Sequence, residues 1–154
     1  MSSRLLPKLD GSRRRHSLRL NQMNVVDEAV AAKKTPLRIS IVDDDASIRE
    51  ALTSLMRSVR FGVDVFASAE EFLASERVND AACLILDVYL PGMSGFDLQK
   101  HINTERPGIP IIFITAHADE TSRRRALKGG AIDFLAKPVR RETLFLALQS
   151  ALER

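Results

Sequence analysis

Residues 83–92 read CLILDVYLPG, and this stretch decides the fold. Its apolar run is typical of a strand that is buried on both faces of a parallel sheet. The proline and glycine at its end predict a loop directly after the strand. Asp87 therefore lies at the end of a buried strand, where partial desolvation raises the pKa of a carboxylate. Such a carboxylate needs a positive partner, so we expect one nearby.

Strand and helix patterns alternate on both sides of this stretch. Short apolar and β-branched runs predict five strands, at residues 39–42, 63–66, 83–87, 111–115 and 132–135. Apolar residues at helical spacing predict a helix after each strand, and Gly62 is expected to end the first one. This alternation predicts an α/β fold in which a five-stranded parallel sheet is doubly wound, with helices on both faces.

Polar residues at the predicted helix starts support this assignment. A serine followed three residues later by a glutamate forms a capping box, and aspartate is also a good N-cap. The signals are Ser47 with Glu50, Ser68 with Glu71, and Asp119. In the last helix, the residues expected to face the core are Thr143, Leu144, Ala147, Leu148, Ala151 and Leu152.

The composition is that of an ordinary globular protein, with 45% hydrophobic and 28% charged residues. Cys83 is the only cysteine, so no disulfide can form within the chain. A reducing compartment is therefore expected, and we predict a cytoplasmic location. No apolar run approaches the roughly 18 residues of a membrane span, so we expect no membrane association.

The net charge of +3 is unevenly distributed along the chain. Residues 1–36 contain eight Lys or Arg and three acidic residues, whereas residues 37–154 contain 15 basic and 17 acidic residues. We interpret residues 1–36 as a basic, disordered N-terminal extension with a short helix near residues 25–32. Two alternatives remain open: the arginines at 13–15 bind nucleic acid, or Met23 is the true start. A solvated tail is favoured over nucleic-acid binding.

Polar residues follow four of the five predicted strands. In a parallel sheet, ligands bind beyond the carboxyl ends of the strands, so these residues should meet in one crevice. They are Asp43 and Asp44 after the first strand, Asp87 after the third, Thr115 at the end of the fourth, and Lys137 after the fifth.

This set of groups suits metal-assisted phosphoryl transfer. Three neighbouring carboxylates repel one another unless a cation is present, and an all-oxygen site suits Mg²⁺. Lys137 would supply a second positive charge and Thr115 a hydroxyl donor, because phosphoryl transfer depends on positioning and charge neutralisation. Asp87 would be the nucleophile that forms an acyl phosphate. A single aspartate at a strand end is usually a helix cap, as we expect of Asp45. Here, however, several strand ends each carry a group that suits the same chemistry, which favours a functional site.

Four segments carry a resemblance to a known family. They are VDDD at 42–45, LDVYLPGMSG at 86–95, ITA at 114–116 and KP at 137–138. Together they closely resemble the receiver domain of two-component response regulators, over residues 37–154. The stretches TAHAD at 115–119 and GAIDFLAKP at 130–138 are most similar to the FixJ-type subfamily. The resemblance implies a flavodoxin-like (βα)₅ receiver fold with strand order 2-1-3-4-5.

The resemblance also implies a role for each acidic residue. Asp87 is expected to be the phospho-acceptor, and Asp43 and Asp44 are expected to hold Mg²⁺ together with Asp87. The backbone carbonyl of Tyr89 is the expected further metal ligand.

Three more roles follow from the resemblance. Thr115 and Lys137 are expected to contact the phosphoryl oxygens, and the Lys137-Pro138 bond is expected to be cis. Phe134 matches the aromatic switch residue that swings inward on phosphorylation. Tyr89 and His117 border the phosphate in this family, and we predict that the bulk of Tyr89 slows dephosphorylation.

The expected function is that of a stand-alone response regulator, because no linker or helix-turn-helix pattern follows the last helix. Its expected partners are a sensor histidine kinase as phosphodonor, an unidentified downstream protein, and a second copy of the chain. The dimer would form on phosphorylation through the fourth helix, fifth strand and fifth helix. Beyond its own phosphorylation and dephosphorylation, no enzyme activity is expected. The alternatives are a DNA-binding transcriptional regulator that lacks its output domain, and a hydrolase on a similar fold.

Overall fold

Five parallel strands form one sheet in the computed structural model, which describes residues 35–153. Their order is β2-β1-β3-β4-β5, so the predicted order and parallel direction are confirmed. The predicted short helix near residues 25–32 lies outside the described residues. The strands are β1 (Arg38–Val42), β2 (Gly62–Phe66), β3 (Ala81–Leu86), β4 (Ile111–Thr115) and β5 (Asp133–Ala136).

A helix follows each strand, as the apolar spacing predicts. A short 3₁₀ helix at Val78–Asp80, which the sequence analysis did not predict, precedes β3. No helix among residues 35–153 is long and apolar enough to cross a membrane. The helices are α1 (Ala46–Ser58), α2 (Ala69–Ala74), α3 (Gly95–Glu105), α4 (Glu120–Lys128) and α5 (Arg141–Leu152).

The two faces of the sheet are covered by separate apolar clusters, because alternate residues of each strand point to opposite faces. One cluster packs α1 and α5 against the sheet, through residues such as Met56, Ile85 and Leu148. The second packs α2, α3 and α4 on the other face, through residues such as Phe72 and Phe113. The sheet is thus doubly wound, and only its strand ends remain available for polar chemistry.

The start of α1 differs from the prediction. The N-cap is Asp45, whose side chain accepts hydrogen bonds from the backbone N–H groups of Ser47 and Ile48. The predicted capping box of Ser47 with Glu50 is therefore wrong, because Ser47 already lies inside the helix. The interpretation of Asp45 as a cap is confirmed.

The end of α1 also differs. The helix stops at Ser58 and Arg60 makes the turn with a φ of 72°, a left-handed conformation that is uncommon for a residue other than glycine. Gly62, predicted to end the helix, instead begins β2 and pairs with Arg38. A Cβ at position 62 would lie 2.5 Å from the guanidinium of Arg38, which explains a glycine in this strand.

The other predicted boundaries are confirmed or shift by one or two residues. The bounds of β4 are as predicted, and Ser68 and Asp119 each accept a backbone N–H as N-caps. In α5, Thr143 is exposed and Phe145 is buried, so the predicted inner face was wrong at the first of these positions.

Candidate functional site

Backbone hydrogen bonds extend the sheet by one residue beyond three strand ends. In each case, the residue after a strand donates its N–H to the last carbonyl of the neighbouring strand. The pairs are Asp43 to Phe66 (3.1 Å), Asp87 to Val42 (3.0 Å) and Lys137 to Thr115 (2.9 Å). Because each bond fixes the backbone of a polar residue at the same edge, the sheet itself positions the site.

Lys137 is the positive partner that the buried position of Asp87 required. Its Nζ lies 2.7 Å from Oδ2 of Asp43 and 2.9 Å from Oδ2 of Asp87. The three side chains are 15%, 4% and 9% exposed, respectively, so water screens these ion pairs only weakly. Lys137 therefore joins the first and third strand ends from its position after the fifth.

The protonation of this cluster reflects burial opposed by ion pairing. Burial raises the pKa of Asp43 above its ordinary value, and the hydrogen bond from Lys137 opposes this shift without cancelling it. Burial lowers the pKa of Lys137, but the hydrogen bonds to Asp43 and Asp87, with their charges, outweigh burial and raise it overall. Lys137 is thus fully charged at neutral pH.

The three carboxylates among the predicted metal ligands lie together. Asp43, Asp44 and Asp87 each offer a carboxylate oxygen, and these oxygens lie within 4.8 Å of one another. Asp44 is exposed while the other two are buried, so the cluster is open to solvent on one side. This donor set fits Mg²⁺, which prefers oxygen ligands and retains several waters.

Further hydrogen bonds orient the two buried carboxylates. Oδ1 of Asp43 accepts the backbone N–H of Asp45 at 2.9 Å, and Oδ1 of Asp87 accepts that of Tyr89 at 3.3 Å. The guanidinium of Arg49 donates to the backbone carbonyl of Asp43 at 2.7 Å. The sequence analysis missed Arg49, because a surface arginine in the first turns of a helix carries no signal of its own.

Gly95 brings α3 against the end of β3. A Cβ at this position would overlap the carbonyl oxygen of Asp87 and lie 2.8 Å from Cα of Val88. The backbone N–H of Gly95 also donates to the carbonyl of Val88 at 2.8 Å. This role of Gly95 was not predicted, although a glycine at a helix start, where it is a poor helix former, was the available signal.

Thr115 and Phe134 are both buried but differ in their surroundings. Oγ1 of Thr115 accepts the backbone N–H of His117 at 3.3 Å, at the same edge as the carboxylates. Phe134 instead lies within the second apolar cluster, with its ring centroid 6.1 Å from that of Phe113. The Lys137-Pro138 peptide bond is cis, as predicted.

Two aromatic side chains stand beside the crevice. The rings of Tyr89 and His117 meet edge to face, with centroids 5.2 Å apart and planes at 87°. Tyr89 is 50% exposed, so its ring lies at the surface rather than in the core. These rings belong to the loops that follow Asp87 and Thr115.

Residues 39–149 match the family described as the response regulator receiver domain. The chain belongs to this family. Membership favours the receiver interpretation over the hydrolase that the sequence analysis left open.

Curated relatives support the family and its FixJ-type branch. Nodulation protein W of Bradyrhizobium diazoefficiens is 48% identical over 116 residues, which cover 75% of this chain and 51% of that protein. Transcriptional regulatory protein FixJ of the same organism is 35% identical over 116 residues, covering 75% of this chain and 57% of FixJ. The chain thus spans about half the length of the curated relatives it matches.

Solved structures also match the receiver fold. The BeF₃-activated receiver domain of DrrB is 30% identical and superposes with a TM-score of 0.71, covering 78% of this chain and 100% of that domain. The receiver fold expected from the sequence is therefore confirmed, including its strand order.

Proposed function

We propose that this receiver domain accepts a phosphoryl group on Asp87 from a phosphohistidine of a sensor histidine kinase, and that the transfer requires Mg²⁺. One observation carries the proposal: Lys137 bridges Asp43 and Asp87 beside a third carboxylate at the sheet edge. The domain would occupy residues 37–154, separate from the basic residues 1–36. The expected cytoplasmic location is part of this proposal.

The chain's own residues would carry out the transfer as follows. A carboxylate oxygen of Asp87 attacks phosphorus in line with the phosphohistidine, an O–P bond forms, and the P–N bond breaks with its electron pair returning to the imidazole. Lys137 then shifts its charge from the Asp87 carboxylate toward the phosphoryl oxygens. Asp43, Asp44, Asp87 and the carbonyl of Tyr89 would hold Mg²⁺, which neutralises the charge of the phosphoryl group when bound.

The output of phosphorylation would be a population shift at the surface of α4, β5 and α5. The hydroxyl of Thr115 would turn toward the phosphoryl group, and the inward position of Phe134 would then be favoured. The carbonyl of Phe134 accepts a hydrogen bond from Arg123 of α4 at 3.1 Å, which links β5 to this surface. A groove of about 410 Å³ lies beside this hydrogen bond, and it is bordered by Arg123, Phe134, Pro138 and Arg140.

This surface would bind a downstream protein or a second phosphorylated copy of the chain. The groove combines apolar side chains with two arginines, a composition that suits a protein interface. We propose no enzyme activity beyond the protein's own phosphorylation and dephosphorylation.

A second candidate function is that of a receiver unit within a DNA-binding transcriptional regulator. It is favoured by FixJ, which is named a transcriptional regulatory protein and of which this chain covers 57%. The mass of the native protein separates the candidates. A mass near 17.1 kDa favours a stand-alone regulator, and a clearly larger mass favours the longer regulator.

Phosphorylation by acetyl phosphate tests the proposed chemistry. We expect the intact mass of the protein to increase by one phosphoryl group in the presence of Mg²⁺ and to remain unchanged with EDTA. Transfer from a histidine kinase should show the same metal dependence. Uptake that is unaffected by EDTA would contradict the proposed mechanism.

A further inference from the structure

Glu70 links helix α2 to the loop that follows Asp87. Its Oε2 accepts the backbone N–H of Met93 at 2.8 Å, across 23 positions of sequence. Glu70 is the second residue of α2, and Met93 lies in the loop between β3 and α3. The same loop contains Tyr89, whose backbone carbonyl is an expected metal ligand.

Gly92 is shaped to admit this contact. Its φ is +75°, in the left-handed region, and a Cβ there would lie 2.5 Å from Oε2 of Glu70. A side chain at position 92 would therefore be strained in its backbone, and the end of the Glu70 side chain would have to move aside. The glycine thus leaves room for the Glu70 carboxylate beside the loop.

The loop is held at its two ends by other contacts. At its start, the N–H of Tyr89 donates to Asp87 at 3.3 Å, and at its end, the N–H of Gly95 donates to Val88 at 2.8 Å. Between these points, the bond from Met93 to Glu70 ties the loop to α2. The hydrogen bond from Met93 to Glu70 therefore adds to the packing of partly buried side chains, which otherwise fixes the middle of the loop.

We propose that Glu70 is a positioning residue for the metal site, which it serves by holding the Tyr89–Met93 loop in place. The inference rests on the proposed function, because it assumes that the carbonyl of Tyr89 binds Mg²⁺. Glu70 itself lies on the exposed side of the loop and does not touch the acidic cluster.

The test compares Glu70→Ala with Glu71→Ala. Both variants remove one negative charge from the first turn of α2, and both remove a backbone N–H acceptor, since Glu71 accepts the N–H of Ala67 at 3.1 Å. Only Glu70 contacts the loop. Amide chemical shifts of ¹⁵N-labelled protein, followed during titration with Mg²⁺, give the affinity, and hydrogen exchange of the Met93 amide in metal-free protein reports the contact directly.

We expect Glu70→Ala to weaken Mg²⁺ binding by roughly three- to tenfold, since the contact is exposed and acts through the backbone. Exchange at Met93 should become faster in the same variant. Glu70→Gln keeps an acceptor oxygen and should recover most of the affinity. Glu71→Ala should change the affinity by less than about twofold.

Two results would overturn the inference: equal affinities in Glu70→Ala and wild type, or equal weakening by both alanine variants. A failure of the proposed function is distinguishable, because the wild-type protein itself would then show no Mg²⁺-dependent shifts at the acidic cluster.

Discussion

Lys137 is the residue on which the electrostatics of the site depend. Its ammonium group lies within 3 Å of two carboxylates that would otherwise be buried without a counter-charge. An unpaired buried charge costs several kcal/mol, whereas a paired one costs far less. The lysine therefore supplies the counter-charge that these two carboxylates need in the absence of metal.

Replacing Lys137 by methionine should destabilise the metal-free protein in a pH-dependent way. We expect the free energy of unfolding to fall by about 2–4 kcal/mol at about pH 7, because two buried carboxylates lose their cation. The loss should be smaller near about pH 4.5, since burial already raises the pKa of Asp43 and protonation removes its charge. Urea denaturation with EDTA at both pH values measures the difference.

The sign of this effect follows from the two raised pKa values. Burial lowers the pKa of Lys137, but the hydrogen bonds to Asp43 and Asp87 outweigh burial and raise it, so the lysine is charged at both pH values and its contribution is lost only as the pH rises through the raised pKa. The difference between the two pH values therefore comes from Asp43, because burial raises its pKa and protonation removes part of the charge that Lys137 balances. A loss that is the same at both pH values would contradict the assignment of Lys137 as the counter-charge.

Tyr89 should control the lifetime of the phosphorylated state. Tyr89 lies two residues after Asp87 and its half-exposed ring meets His117 edge to face, so we expect the ring to restrict the approach of water to an aspartyl phosphate. We expect Tyr89→Ala to lose phosphate roughly three- to tenfold faster, equivalent to about 1 kcal/mol in the barrier. Release of inorganic phosphate after removal of the donor gives the rate.

The matched control is Tyr89→Phe, which retains the ring and loses only the hydroxyl. It should dephosphorylate at nearly the wild-type rate. If Tyr89→Ala and wild type decay equally fast, the ring has no role in excluding water.

At the scale of elements, the contact between β3 and α3 leaves no room for a side chain at Gly95. Gly95 is the first residue of α3, and its Cα lies directly against the backbone of Asp87 and Val88. The capping box of Ser94 and Asp97 fixes the start of the same helix. Because the N–H of Gly95 also donates to the carbonyl of Val88, the helix cannot retreat to make room for a side chain without breaking this bond.

Gly95→Ala should accordingly destabilise the fold by about 2–4 kcal/mol. Gly108→Ala is the control: its φ is +108° but a Cβ there would meet nothing within 4 Å, so only backbone strain of about 1–2 kcal/mol applies. Chemical denaturation of both variants measures the costs. A cost for Gly95→Ala no greater than that for Gly108→Ala would disprove the steric argument.

The elements also show which sequence signals are reliable. The apolar runs located all five strands within two residues. The signal is strongest in the inner strands β1, β3 and β4, which are largely buried, whereas the edge strand β2 is only partly buried. The start of α1 was misassigned because Asp45 and Ser47 are both good caps, and local chemistry does not choose between them. The contact of Glu70 with Met93 joins residues 23 positions apart in different elements, so no local pattern predicts it.

At the scale of the whole molecule, the chain divides into a basic segment and a nearly neutral domain. The carboxyl ends of the strands could be assigned from sequence because a parallel sheet gathers them at one edge. The ion pairs between them could not, since a lysine side chain has many conformations and its direction depends on the packed fold. Family membership indicates which role to expect of each site residue, and the structure shows which side chains contact one another.

Cys83 provides a probe of global opening. It lies on the central strand β3 with no exposed surface, and burial raises its pKa to about 12. We expect the native protein to resist thiol reagents at about pH 8 and to react in proportion to its unfolded fraction, because the thiolate is the reactive form. Rapid labelling under native conditions would indicate that β3 opens without global unfolding.

The most direct test of the central claim is the location of the phosphoryl group after treatment with acetyl phosphate and Mg²⁺. Peptide mapping of the modified protein should place a single acyl phosphate on Asp87. Asp87→Asn should remain unmodified, whereas Asp45→Asn, which alters a nearby helix cap, should be modified like the wild type. Modification of another residue in the wild-type protein, or labelling that persists in Asp87→Asn, would contradict the account.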